Sequence, residues 1–217
     1  GDVYKRQIDI GSNDGTLLTN FRDGGHRILG IEPTLMAQLA IQRGIPSVQS
    51  FFGRATAEQV RAEHGQARVI TATNVFAHMA DLDQIMAGIL TLLGDDGVFI
   101  SESHYLLSLV ETLQYDTIYH EHLRYYSLNS LRYLFKLHGL EIIHAKRIPT
   151  HGGSIRVYAA RTGKHEVRST VASALTHEER QLTGSALKRF KHRMMLSKLQ
   201  LHALLKDIRA AGQHIYG

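Results

Sequence analysis

The sequence contains no cysteine. That absence excludes disulfide bridges and any zinc site built on thiolates, and it suits a cytoplasmic setting. Nor is there an apolar run approaching the roughly 18–20 residues that a membrane-spanning helix requires, or a secretory leader pattern. The expectation is an intracellular, cytoplasmic protein with no membrane partner. Internal repeats and low-complexity segments are also missing. The formal net charge of +5 is unevenly spread: residues 1–163 are nearly balanced, and the basic surplus lies in residues 164–217. A nucleic-acid binder carries its basic face on the folded domain, so no nucleic-acid partner is expected. What is present, 217 residues with an ordinary hydrophobic fraction of 43%, is enough for one sizeable α/β domain and an appendage.

Residues 1–7, GDVYKRQ, are poor material for a buried strand and are set aside as a non-native lead-in. After them strand and helix signals alternate. Strands are expected at Ile8–Ile10, Arg27–Glu32, Ser47–Phe52, Arg68–Thr73 and Gly97–Ser101, with helices between them, including Leu35–Arg43, Thr56–His64 and Leu82–Leu93. Such alternation implies a parallel sheet covered on both faces. A helix over Leu128–His138, capped by Ser127 or Asn129, follows. Two more strands, Leu140–Ile148 and Ser154–Arg161, are separated only by PTHGG. Five residues cannot make a parallel crossover, so these strands pair as an antiparallel hairpin. The fold class is therefore α/β: a Rossmann-like, methyltransferase-type sheet, mostly parallel with one antiparallel hairpin strand. A C-terminal helical segment spans 164–211, with Leu182, Leu187, Phe190, Met194, Leu201, Leu204, Leu205 and Ile208 near one face. The domain proper runs over 8–163.

DIGSNDG, Asp9 to Gly15, closes the first strand. Gly11 and Gly15 permit a tight turn and close backbone approach to a ligand. Glu32 ends the second strand, where a carboxylate can accept hydrogen bonds from both ribose hydroxyls of an adenosine. This spacing fits NAD and S-adenosylmethionine alike. Asn13 stands where a dinucleotide fingerprint has its second glycine, and Asp14 puts negative charge where a pyrophosphate would sit. A sulfonium cofactor has no phosphate and is positively charged, so the acidic loop favours S-adenosylmethionine, with Asp9, Gly11, Ser12, Asn13, Gly15 and Glu32 as its candidate holders. Phe51 and Phe52 are candidates to flank the adenine, or to lie in the core. ATNVFAH follows the fourth strand, at the sheet edge where ligands bind in this topology, so Asn74 and His78 are placed to meet cofactor or substrate.

YHEHLRYYS, Tyr119 to Ser127, lies in a connection of about 25 residues between the fifth strand and the next helix. Connections that long in a compact domain are usually functional. A metal reading would draw on His78, His104, His120, Glu121 and His122, but H-E-H is not the H-E-x-x-H helix spacing, and no metal is expected. An acid–base reading fits better. Imidazole titrates near neutral pH, a carboxylate can orient it, and a tyrosine hydroxyl can donate to a developing oxyanion. Those parts suffice to take a proton from carbon next to a ketone and hold the enolate.

The pieces IDIGSNDG, GIEPT, ATNVFAHMADLD, ESHYLLSLVETLQYDTIYHEHLRYYSL and THGGSIRVYAAR, covering most of residues 8–161 in order, resemble the nucleotide-sugar C-methyltransferases, which methylate C3 of deoxyhexoses carried on dTDP. The resemblance implies a SAM-dependent transferase acting on a nucleotide-linked 4-keto sugar. It implies His122 as general base, Tyr119 and Glu121 supporting it, and His78 lining the same pocket. Asp9, Gly11, Gly15 and Glu32 would hold S-adenosylmethionine, and Asn74 would contact it. Gly152, Gly153 and Ser154 would line the substrate pocket, together with His120. Members of that family begin with a cysteine-rich zinc module, absent here, and end with a second Rossmann-like domain, whose first strand QHIYG (residues 213–217) resembles. On that comparison residues 212–217 open a truncated C-terminal domain and the chain is a central catalytic fragment.

Three other readings stay open on the residues. An O- or N-methyltransferase would need a base but no enolate. A SAM-binding module without turnover would keep the cofactor loop alone. An NAD oxidoreductase would bind NAD in the same crevice. Oligomeric state is open as well, because the amphipathic tail can pack on its own domain or on a partner.

Overall fold

The computed structural model describes residues 6–216. Seven strands form one sheet in the order β3-β2-β1-β4-β5-β7-β6. They are β1 (Arg6–Ile10), β2 (Arg27–Ile31), β3 (Ser47–Val48), β4 (Ala67–Thr73), β5 (Leu93–His104), β6 (Leu140–Ile148) and β7 (Ser154–Arg161). The helices are α1 (Thr16–Asp23), α2 (Met36–Gln42), α3 (Arg54–His64), α4 (Leu82–Leu92), α5 (Leu106–Thr112), α6 (Leu128–Leu137), α7 (Ser169–Gln181) and α8 (Gly184–Ala210). All pairings from β3 through β5 are parallel, and β7 runs antiparallel to both β5 and β6. The expected sheet with a single antiparallel hairpin strand is the one observed.

The central strands read as short apolar runs because helices cover both their faces. Ile8, Ile10, Ile31, Ile70 and Phe99 are fully buried. Phe76, Phe99, Phe135 and Tyr126 meet with ring centroids 5.7–6.2 Å apart, pairings worth about 0.5–1.5 kcal/mol each beyond the area they bury. This cluster lies below the carboxyl ends of β4 and β5 and carries the loops that form the site.

Several boundaries differ from those expected. Of the seven residues set aside as a lead-in, Arg6 and Gln7 belong to β1; Gln7 is buried and donates to Thr71 Oγ1 on β4 at 2.8 Å. Residues 1–5 of that segment, and Gly217 at the other end, lie outside the described residues. The third strand is only Ser47–Val48, because its partner β2 ends at Ile31, paired with Val48. The fifth strand is longer than expected and reaches His104, and the connection after it contains α5. Ser127, rather than Asn129, caps α6 in a reciprocal box with Ser130.

The C-terminal helical segment is two helices, broken at Leu182–Thr183, where Thr183 accepts from the Ala186 amide to start α8. α7 is tied down by buried Glu178, which accepts from Tyr105 Oη (2.8 Å) and from the α6 amides of Leu128 (2.5 Å) and Asn129 (2.9 Å). Of the expected packing face on α8, Leu187, Leu201 and Leu204 are exposed, while Phe190, Met194, Leu205 and Ile208 are half-buried. Residues 213–216 form no strand, since a strand requires a neighbour to pair with and no described strand flanks them.

Candidate active site

The turn after β1 is built on backbone geometry only glycine adopts freely. Gly11 has φ +71°, and a Cβ there would fall 2.2 Å from Val75 Cγ1, so the turn can press against the β4 loop only without a side chain. The Gly11 amide donates to the Ile31 carbonyl at 2.8 Å, which locks the turn against the end of β2. Asn13 has φ +50° and its amide donates to Glu32 Oε2 at 3.0 Å; the Thr34 amide donates to Glu32 Oε1, also at 3.0 Å. Glu32 is thus held by two backbone amides with lone pairs to spare for hydroxyl donors. Gly15, φ +79°, starts α1.

Asp14 does not supply the free negative charge expected of it. It accepts from the Thr16 amide and hydroxyl and pairs with Arg43; the Thr16 hydrogen bonds hold its carboxyl below the usual range. The buried acids of the crevice are Asp9 and Glu32. Burial pushes Asp9 up to about 7, against the pull of the Thr71 hydroxyl and with help from Glu32.

Two neighbouring cavities open at the carboxyl edge of the sheet. One, of about 520 Å³, is lined by Gly11, Glu32, Phe51, Phe52, His78 and Asp81 among others. The other, of about 400 Å³, is lined by Asn74, His78, Ser103, His104, Tyr119 and His122, with His151 and Thr117 at its wall. His78 belongs to both. Asp9, Gly11, Ser12, Asn13, Thr73 and Arg156 line a third hollow of about 410 Å³, which shares Gly11 with the first cavity.

The second cavity is organised by imidazoles whose tautomers are set by acceptors. Backbone carbonyls only accept, so His122 Nδ1 donates to Thr117 O (3.1 Å) and His78 Nδ1 donates to Glu121 O (2.8 Å). In each ring Nε2 is left as the basic nitrogen. Tyr119 Oη donates to His122 Nε2 at 3.3 Å, and the two rings stand 4.5 Å apart between centroids. His78 and His122 are 5.0 Å apart. The segment carrying His122 is fastened to the β4 loop by the Leu123 amide on Ala77 O (3.1 Å) and by Arg124, which donates to Met79 O (2.6 Å) and Ala80 O (2.8 Å). Asn74, at φ +58°, turns the chain out of β4 toward His78.

The structure thus brings His78, Tyr119 and His122 together, and Asp9, Gly11, Ser12, Asn13 and Glu32 around the crevice beside them. It assigns other sequence-derived candidates differently. Asn74 lines the imidazole cavity and not the one holding Glu32. Glu121 is exposed and contributes its backbone carbonyl, not a carboxylate beside the base. His120 is exposed and off both cavity walls. Gly152 and Gly153 border a separate hollow, and Ser154 is fully buried with its hydroxyl on Thr150 O. Sequence reasoning missed Ser103, Gln114, Arg124, His151 and Arg156; only His104 among the additions had drawn notice, as a metal ligand. Among the described residues no three His, Asp or Glu side chains come together to hold a metal ion.

Residues 2–145 match the sequence model of a family described as a methyltransferase domain, and residues 149–217 match one described as a C-methyltransferase C-terminal domain. The chain belongs to the methyltransferase family. Its fold is that of class I methyltransferases, and its C-terminal part carries the C-methyltransferase match. The boundary between the two matches falls in the β6–β7 hairpin, although both strands lie in one sheet. The curated C-methyltransferase NovU of Streptomyces niveus is 37% identical over 214 residues, which cover 97% of this chain and 51% of that protein. The chain thus spans about half the length of that relative. Among solved structures, the magnesium protoporphyrin IX methyltransferase of Synechocystis PCC 6803, with bound SAH, superposes with a TM-score of 0.51 at 16% identity, over 72% of this chain and 74% of that one. A putative S-adenosylmethionine-dependent methyltransferase from Listeria monocytogenes gives 0.55 at 13% identity, over 75% and 93%. At such identities the shared property is the fold.

The residues present fit S-adenosylmethionine. Glu32 is anchored with acceptor capacity remaining, Phe51 and Phe52 give one cavity an aromatic wall, and the hydroxyl of buried Ser12, on the adjoining hollow, has no partner within the protein.

Proposed function

We propose that this methyltransferase alkylates carbon next to the ketone of a nucleotide-linked keto sugar, C3 of a 4-keto deoxyhexose, in the cytoplasm. The observation that carries the reading is the pairing of His122 Nε2 with the Tyr119 hydroxyl, in a cavity that shares His78 with the Glu32 cavity. O- or N-methylation asks only for a base and orientation. An imidazole next to a hydroxyl donor also meets the needs of enolate formation.

His122 Nε2 takes the proton from the carbon adjacent to the carbonyl; the C–H electron pair becomes the enolate double bond and the carbonyl oxygen becomes the oxyanion. Tyr119 turns its hydroxyl from Nε2 to that oxygen, where a positioned donor stabilises the developing charge. The Thr117 carbonyl supports the imidazolium through Nδ1–H. Glu32 orients the nucleoside of the methyl donor, and the apolar walls at Phe52, Val75 and Met79 exclude water. S-adenosylmethionine, when bound, supplies the electrophilic methyl group that the enolate carbon takes. The relative NovU is a C-methyltransferase, which supports carbon as the acceptor atom.

The test is solvent-deuterium exchange at the sugar C3 without methyl donor. Exchange that disappears in His122→Gln supports the reading. Methylation of an oxygen or nitrogen, with no exchange at carbon, overturns it.

A further inference from the structure

Opposite His122 the cavity has a second polar wall that the enolate chemistry does not use. Ser103 and His104 end β5. Ser103 is 1% exposed, lines the cavity, and its Oγ has no hydrogen-bond partner in the protein. His104 stands 6.4 Å from His122 between ring centroids, and its Nε2 lies 2.8 Å from Gln114 Oε1.

The orientation of Gln114 is dictated by its other end. Its Nε2 donates to the carbonyl of Gly152 at 2.7 Å and to the Thr112 hydroxyl. Oε1 must therefore face His104, whose Nε2 donates to it. This tautomer is opposite to those of His78 and His122, and it leaves Nδ1 as the accepting nitrogen. Gly152 allows the contact: it has φ +75°, and a Cβ there would fall 2.4 Å from Gln114 Nε2. Burial is the main reason His104 lies below the ordinary histidine range, against the opposing pull of the Gln114 hydrogen bond. The ring therefore stays neutral and accepting at physiological pH.

We propose that Ser103 and His104, with Gln114 as positioning residue, form the specificity wall of the acceptor pocket and bind hydroxyl oxygens of a polyhydroxylated ring, His104 Nδ1 accepting and Ser103 Oγ donating. The assignment rests on the acceptor reading given above and extends it to how the acceptor is recognised. Ser103 and His104, consecutive on β5 and so projecting to opposite faces of the strand end, give the cavity one unpartnered hydroxyl donor and one imidazole acceptor, the complement of a sugar-like ring bearing more than one oxygen. An apolar or aromatic acceptor would leave both unpaired at a cost.

The test uses the intact enzyme, a nucleoside-diphosphate 4-keto-6-deoxyhexose, and analogues each lacking one ring hydroxyl. His104→Gln keeps an N–H for Gln114 but has no acceptor at the Nδ1 position; His104→Asn keeps the acceptor and loses the Gln114 contact. His104→Gln and Ser103→Ala should each lower kcat/KM for the full acceptor roughly 10- to 100-fold, mainly through KM, with S-adenosylhomocysteine affinity unchanged. His104→Asn should recover part of the loss. The analogue lacking the contacted hydroxyl should be as poor for the wild type as for His104→Gln. Wild-type kinetics in His104→Gln, or equal losses on every analogue, would overturn the assignment while leaving the C-methylation reading intact. If the wild type turns over no keto sugar, that reading fails and imidazole nitrogen spectra decide His104 separately: a neutral Nε2–H ring, lost in Gln114→Ala, upholds the wall, and an Nδ1–H or protonated ring at neutral pH removes it.

Discussion

Nδ1 of His122 lies 3.1 Å from the carbonyl oxygen of Thr117. Because that oxygen cannot donate, the proton of the neutral ring resides on Nδ1 and the basic lone pair on Nε2, toward Tyr119. Replacing His122 by Gln should reduce methylation by about 10²- to 10⁴-fold, the usual contribution of a positioned general base. S-adenosylhomocysteine should still bind, as calorimetry will report. Retention of the full rate would remove His122 from the role of base.

Glu32 receives the amides of Asn13 and Thr34 as well as facing the donor cavity. Glu32→Ala therefore loosens the loop and deletes the acceptor for the nucleoside hydroxyls. Titration calorimetry with S-adenosylhomocysteine should show affinity falling at least roughly tenfold to a hundredfold, the worth of a charge-assisted hydrogen bond or two. Undiminished affinity would place the nucleoside elsewhere.

Asp9 makes the ligand-free protein sensitive to pH. Burial raises its carboxyl from 3.8 to about 7, so between those values the folded state holds a proton that the unfolded chain has released. Stability from this group is then greatest near the lower value, falls as pH rises toward 7, and is level above it. Asp9→Asn should flatten that part of the melting-temperature profile and raise the melting temperature at neutral pH. A profile unchanged by the substitution would show that Asp9 ionises normally.

Glu178 closes three donors at once: the Tyr105 hydroxyl and the first two amides of α6. Glu178→Ala leaves them buried without an acceptor and should cost about 2–4 kcal/mol in urea unfolding. Glu178→Gln, which keeps one acceptor oxygen, should cost less. Equal stability of the alanine variant and wild type would mean that α7 contributes no such tie.

The Rossmann-like sheet and its one antiparallel strand were legible because both rest on local facts. Strand and helix periodicities alternate, and PTHGG is too short for any connection but a hairpin. The crevice was legible in part: Gly11 and Glu32 sit at strand ends, where the topology alone assigns ligand contact. Glu121 shows the limit. Its place beside His122 suggested a carboxylate partner, yet its side chain is exposed and its carbonyl fixes His78 instead, because the tight turn with the His122 amide on Tyr119 O directs backbone rather than side chain into the site. The segment expected as one amphipathic helix is broken at Leu182–Thr183, where the Thr183 cap competes with continued helix.

By itself the sequence determined the order of strands and helices, the hairpin, the glycine turn and the clustering of Tyr119 and His122 on one short stretch, since these follow from periodicity and spacing between near neighbours. Only the tertiary structure decided which imidazole nitrogen is basic, that Arg124 fastens the segment to Met79 and Ala80, that Gln114 reaches Gly152 and His104, and that Glu178 caps α6. Apart from the His122–Thr117 contact, five positions apart, those contacts join residues 10 to 50 positions apart, and a hydrogen bond over such a separation depends on where folding brings each donor and acceptor, which no local pattern encodes.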